Sequence, residues 1–113
     1  MVDIKSQEGV LDEIIRRIVT VADPEQIILF GSAARGGMNE NSDIDLLIIK
    51  RGSYHPRVVA ADIHMSLYGI GQAVDLVIVT PEQVEQYKNS PSMVVYPALR
   101  EGRVVYHARP VPA

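Results

Sequence analysis

Apolar residues recur at helical spacing from Glu8 to Val21. Val10, Leu11, Ile14, Ile15, Ile18 and Val19 fall on one side, and Asp12, Glu13, Arg16 and Arg17 fill the other. The pattern predicts an amphipathic helix that stops at Asp23-Pro24, because a residue before proline avoids the helical region. The next apolar run, Ile27 to Phe30, is too short for a helix and predicts a buried strand. It breaks at Gly31-Ser32, where Ser32 reads as an N-cap, 33–35 as a first helical turn, and Gly36-Gly37 as its end. Asn39 to Ser42 read as loop and Asp43 to Lys50 as a second strand. Pro56 to Tyr68 predict a helix of looser periodicity, closed by Gly69 and Gly71, and Ala73 to Val79 predict a third strand. Thr80-Pro81-Glu82-Gln83 has the form of a capping box with proline in the first helical position, so a helix runs from Pro81 to about Lys88. A further helix is expected over Ser92 to Arg100, a short edge strand over Arg103 to His107, and a frayed tail over 108–113. Helices alternating with short apolar strands indicate an α/β domain: a small, largely buried sheet packed by helices.

Composition narrows the function classes more than the fold. The 113 residues fit one domain with one core. A net charge of -3 lacks the basic footprint of a general nucleic-acid binder, so no direct nucleic-acid binding is expected. With no cysteine there is neither a disulfide framework nor a thiolate metal site. No apolar run approaches the roughly 20 residues of a membrane span, and the polar N-terminus is unlike a signal peptide, so a cytoplasmic protein without membrane contact is expected.

The second predicted strand opens with two carboxylates, Asp43 and Asp45. Alternate strand residues share a face, so the two project together, about 6–7 Å apart at the backbone. Their repulsion near a surface is on the order of 2–3 kcal/mol at an effective dielectric of 20, and a divalent cation would convert it to attraction. Asp75 lies inside the third predicted strand; if the second and third strands are neighbours, three carboxylates meet at one edge. Oxygen-only ligation suits magnesium, and two such ions bridging phosphates would favour an in-line displacement. The Gly31-Ser32 turn between a strand and a helix start favours a phosphate. Together these features imply nucleotidyl or phosphoryl transfer. Other phosphate motifs are excluded. Gly31 and Gly36 have Walker A spacing, but Gly37-Met38 follow instead of Lys-Ser or Lys-Thr, and no G-x-G-x-x-G follows a strand.

The two-part motif Gly31-Ser32-Ala33-Ala34-Arg35-Gly36, five residues, then Ser42-Asp43-Ile44-Asp45-Leu46 resembles the signature of the DNA polymerase β-like nucleotidyltransferase superfamily. It is most similar to the stand-alone minimal nucleotidyltransferases (MNT) that act as antitoxins beside HEPN toxins. The resemblance spans nearly the whole chain, through Asp75 to the closing REGRVVY, and implies a polymerase β-like fold with a mixed sheet. It also implies that Gly31 and Ser32 hold the phosphates of ATP within a nucleotide-binding motif that includes Arg35 and Ser42. Asp43, Asp45 and Asp75 would bind magnesium, with Asp75 also the base that takes the proton from the attacking hydroxyl. The activity implied is transfer of AMP from ATP to a tyrosine of the partner HEPN toxin. Where many members carry Arg after Gly-Ser this chain has Ala33, which leaves Arg35 as the motif's one cation. Arg35 either touches a phosphate or pairs with a nearby carboxylate to hold the loop.

A different class of function is a binding module that masks a partner stoichiometrically, with the site a remnant. A third is transfer to a small molecule, as in aminoglycoside nucleotidyltransferases, which carry additional domain. His55, His64 and His107 have no metal-like spacing, and Tyr54, Tyr68, Tyr87, Tyr96 and Tyr106 read as packing residues. Met93, Val94, Val95, Tyr96 and Leu99 exceed what one face of a short helix buries, so part of that set is expected to contact a partner.

Overall fold

The computed structural model describes residues 7–31, 43–90 and 95–108. The first helix, α1 (Gln7–Ala22), has the predicted apolar side against the sheet, with Ile14 and Ile18 fully buried. It ends differently from the proline argument alone. Asp23 adopts a left-handed conformation (φ 47°) and its N–H donates to the Val19 carbonyl at 3.1 Å, a helix terminus of the αL kind. Lys50 Nζ donates to the Ala22 carbonyl at 2.6 Å and so satisfies another of the carbonyls left open there.

The strands β1 (Gln26–Phe30), β2 (Ile44–Ile49), β3 (Val74–Val79) and β4 (Arg103–His107) form one sheet in the order β3-β2-β1-β4. β1 runs antiparallel to both β2 and β4, and β2 runs parallel to β3. The sheet is therefore mixed, with β4 on an edge as its composition predicts. The connection between the parallel pair is α2 (Pro56–Ser66), the crossover that parallel strands require. The remaining helices are α3 (Pro81–Tyr87) and α4 (Val95–Glu101). Thr80 and Gln83 make both hydrogen bonds of the capping box, 3.1 Å and 2.9 Å long. His55, which carried no structural signal in the sequence, caps α2 by accepting the Arg57 N–H at Nδ1, 3.3 Å away.

Strand periodicity sorts the core into two layers. Ile27, Leu29, Ile44, Leu46, Ile48 and Val74 face α1 and α2, where Leu11, Ile14, Ile18, Ile63 and Leu67 complete one cluster. Ile28, Leu47, Ile49 and Val79 face the other way, onto Val95 and Ala98 of α4, with Val84 and Tyr87 of α3 packed against them. The central strands β1 and β2 are covered on both sides, which explains their near-continuous apolar runs.

Two expectations about surface residues change. Tyr68 is not a packing residue: it is 90% exposed. Val95 is buried and Leu99 packs on the second cluster, so these two serve the chain's own core, while Tyr96 is half-buried with Arg100 over its ring. Met93 and Val94 lie outside the described residues. Among the described residues, α2 exposes Val58 and Met65, while α1 exposes Val21 and β4 exposes Val104.

Candidate active site

The C-terminal end of β1 and the N-terminal ends of β2 and β3 meet at one end of the sheet, because β2 reverses β1 and β3 repeats the direction of β2. Strand register then fixes which side chains gather there. Asp45 lies opposite Phe30 on β1 and opposite Asp75 on β3. It alternates with Ile44 and Leu46, so it belongs to the face that carries Leu47 and Ile49, and Asp75 shares that face with Val77 and Val79. The conditional expectation that the second and third strands are neighbours is met, and the partner of Asp45 across the ladder is Asp75 itself.

The electrostatics follow from that register. The Asp45 carboxyl is pushed above the ordinary aspartate range, first by burial, then by the Asp75 charge and a hydrogen bond shared with Asp75, and last by the Asp43 charge. Asp43 is exposed, one position before the first residue of β2, and acts on Asp45 at longer range. The register thus sets two of the three carboxylates side by side on neighbouring strands. Among the described residues no group of three His, Cys, Asp or Glu side chains is gathered closely enough to hold a metal ion.

Gly31 closes the site from the β1 side. It has a φ of +73°, and a Cβ placed on it would lie 2.2 Å from Oδ2 of Asp45. The sequence marks Gly31 as part of a phosphate turn. Its second duty, leaving room for Asp45, depends on the antiparallel register of β1 and β2 and has no local signal. Ser32, Arg35 and Ser42, the other predicted nucleotide contacts, lie outside the described residues. A cavity of about 300 Å³ lined by Leu11, Asp12, Ile15 and residues 103–105 sits between α1 and β4, away from the carboxylates.

Residues 12–110 match the family described as polymerase beta, nucleotidyltransferase. The chain belongs to that family. No curated protein matches the sequence. Among solved structures, a Sulfolobus solfataricus protein assigned as a nucleotidyltransferase superposes with a TM-score of 0.59 at 19% identity, over 88% of this chain and 78% of its own. A structure of a toxin-antitoxin with AMP-PNP superposes with a TM-score of 0.61, also at 19% identity, over 87% of this chain and 73% of its own. At such identities the likeness is one of fold, and it bears out the polymerase β-like nucleotidyltransferase architecture. No helix among the described residues is long and apolar enough to cross a membrane.

Proposed function

We propose that this nucleotidyltransferase-family chain is a magnesium-dependent protein adenylyltransferase that moves AMP from ATP to a tyrosine of a cognate HEPN toxin and thereby acts as its antitoxin. The observation that carries the reading is the pairing of Asp45 with Asp75 beside Gly31, at the end of the sheet where the two-part motif begins and ends. Family membership supports the reaction class, and the toxin-antitoxin neighbour with a bound ATP analogue supports the choice of nucleotide and partner.

The donor chemistry fits a hard divalent cation. The carboxylates supply only oxygen, and the charges that push the Asp45 carboxyl up are those a cation would neutralise. Asp43, Asp45 and Asp75 would hold two magnesium ions, which when bound stabilise charge on the phosphates during displacement. Gly31 and Ser32 hold the nucleotide phosphates through backbone and hydroxyl donors, and Ser42 and Arg35 border the same nucleotide. Asp75 takes the proton from the attacking tyrosine hydroxyl. The bond formed joins that oxygen to the α-phosphorus, and the bond broken releases pyrophosphate.

The test is intact-mass spectrometry of the chain incubated with ATP, magnesium and the product of the adjacent gene. The expected result is a gain on that partner in AMP-sized steps, absent without magnesium and absent with Asp43→Ala. A stable complex with no change in mass would overturn the enzyme reading in favour of stoichiometric masking.

A further inference from the structure

α2 carries two apolar stripes, which is why its periodicity in the sequence is loose. Val59, Ile63 and Leu67 pack into the core. Val58, Ala61, Met65 and Tyr68 form a second stripe on the outside, with Val58 56%, Met65 76% and Tyr68 90% exposed. Tyr68 lies just past the helix, in the turn that ends it, where its N–H donates to the Met65 carbonyl at 3.3 Å. Arg17 on α1 donates to the carbonyls of Ser66 and Tyr68 at 3.1 and 3.3 Å, which fixes this end of the stripe to the domain.

The spacing of the outer stripe is three, four, three: positions a, d, a, d of a heptad. Val58 and Met65 then occupy a, Ala61 and Tyr68 occupy d, and the core-facing residues fall at b, c and f. The charges beside the seam decide between partners. Arg57 stands at g and Asp62 at the following e; both are exposed, and neither has an ion-pair partner among the described residues. In a parallel pair of helices g of one faces e of the other five residues on, so two copies of this helix would make two Arg57–Asp62 ion pairs related by the dyad. An antiparallel pair would set Asp62 beside Asp62 instead.

We infer that the outer stripe of α2 is a self-association surface, on which a second copy of this chain docks its own α2 in parallel about a two-fold axis. Such an interface is isologous: each layer of the seam is a residue facing its own copy. The β-branched Val58 at an a position suits a two-stranded seam. The exposed side chains offer on the order of 400–500 Å² per copy, about half of one side of a standard interface. An interface of that size makes a weak dimer.

The chain contains no cysteine, so an introduced one reports cleanly. Ala61→Cys places one thiol in a layer that faces itself in the parallel dimer, at a separation a disulfide can bridge. Oxidation of Ala61→Cys is expected to yield a disulfide-linked dimer on non-reducing gels. Sedimentation equilibrium of the wild-type chain is expected to show reversible dimerisation, abolished by Met65→Glu with an unchanged circular dichroism spectrum and Tm. Arg57→Asp or Asp62→Arg alone should weaken the dimer at least threefold, and the double exchange should restore it. A wild-type chain that stays monomeric to 500 μM would overturn the inference, as would a dimer indifferent to Met65→Glu. Failure of Ala61→Cys to cross-link while dimers form would overturn the parallel arrangement. A monomer that uses the stripe only to hold the product of the adjacent gene would overturn self-association in favour of a different occupant.

Discussion

A Cβ on Gly31 would sit 2.2 Å from Oδ2 of Asp45. That distance is well inside van der Waals contact, and Asp45 has little freedom to yield because Asp75 lies across the ladder from it. The end of β1 is thus built to pass close by a carboxylate, at a residue whose φ of +73° already disfavours any side chain.

Gly31→Ala is expected to cost roughly 1–3 kcal/mol of stability, from the left-handed backbone and from displacement of the carboxylate. It should also lower turnover at least tenfold, because Asp45 must rotate away. The two contributions separate in a double-mutant cycle. In an Asp45→Ala background the clash is gone and only the backbone part of the stability cost remains, so the two single costs should sum to more than the double mutant's. Denaturant titrations of the four proteins read this directly.

Asp45→Asn should raise Tm by a few degrees while abolishing nucleotidyl transfer. Burial and the Asp75 and Asp43 charges make an ionised Asp45 unfavourable in the folded chain, and an amide keeps the shape without the charge. Millimolar magnesium should raise the Tm of the wild-type chain and leave that of Asp45→Asn nearly unchanged, since a ligand stabilises only the state that binds it. An equal magnesium shift in both proteins would remove Asp45 from the metal site.

Gly102 serves the sheet as Gly31 serves the site. A Cβ there would meet the Ala98 carbonyl oxygen at 2.2 Å, Ile28 Cγ2 at 2.6 Å and the Leu29 carbonyl oxygen at 3.0 Å. Two of the three atoms are backbone and cannot rotate aside, so either the end of α4 or the β1–β4 ladder must open. Gly102→Ala should therefore destabilise by roughly 2–4 kcal/mol, with the m-value unchanged if unfolding stays two-state.

The sequence made most of the elements legible because their periods are strong: α1 through its single apolar stripe, β1 and β2 through runs buried on both faces, α3 through a capping box that is local in the chain. The candidate carboxylates were legible for a different reason. Asp43 and Asp45 are two positions apart, and strand geometry alone puts them on one face. Their relation to Asp75 stayed conditional, since the order of strands depends on the packing of whole helices and leaves no mark on a seven-residue run. Tyr68 was misread because residues 56–68 superpose two stripes, and one-dimensional spacing cannot say which of them the core takes. The roles of Gly31 and Gly102 depend on approaches across strands and were beyond any local pattern.

Glu13 accepts hydrogen bonds from both Arg16 and Arg17, and these two guanidinium groups hold its carboxyl down to about 2 from an ordinary 4.5. Arg17 in turn reaches the carbonyls of Ser66 and Tyr68, so the trio ties α1 to the C-terminal end of α2. A depressed folded-state value means that the unfolded chain binds the proton first as pH falls. The stabilising contribution is fully present above about pH 4.5 and is lost progressively as pH falls towards 2. Glu13→Gln removes this group from the titration. The stability difference between wild type and Glu13→Gln should be constant from pH 6 to 8, and should shrink across the window from about 4.5 down to 2. The Arg16 side is exposed and screened, so 1 M salt should weaken that contribution while leaving the hydrogen bonds from Arg17 to α2 in place. Urea titrations of both proteins at stepped pH check the sign. A difference that grows on acidification would show that Glu13 is not held ionised by its two arginines.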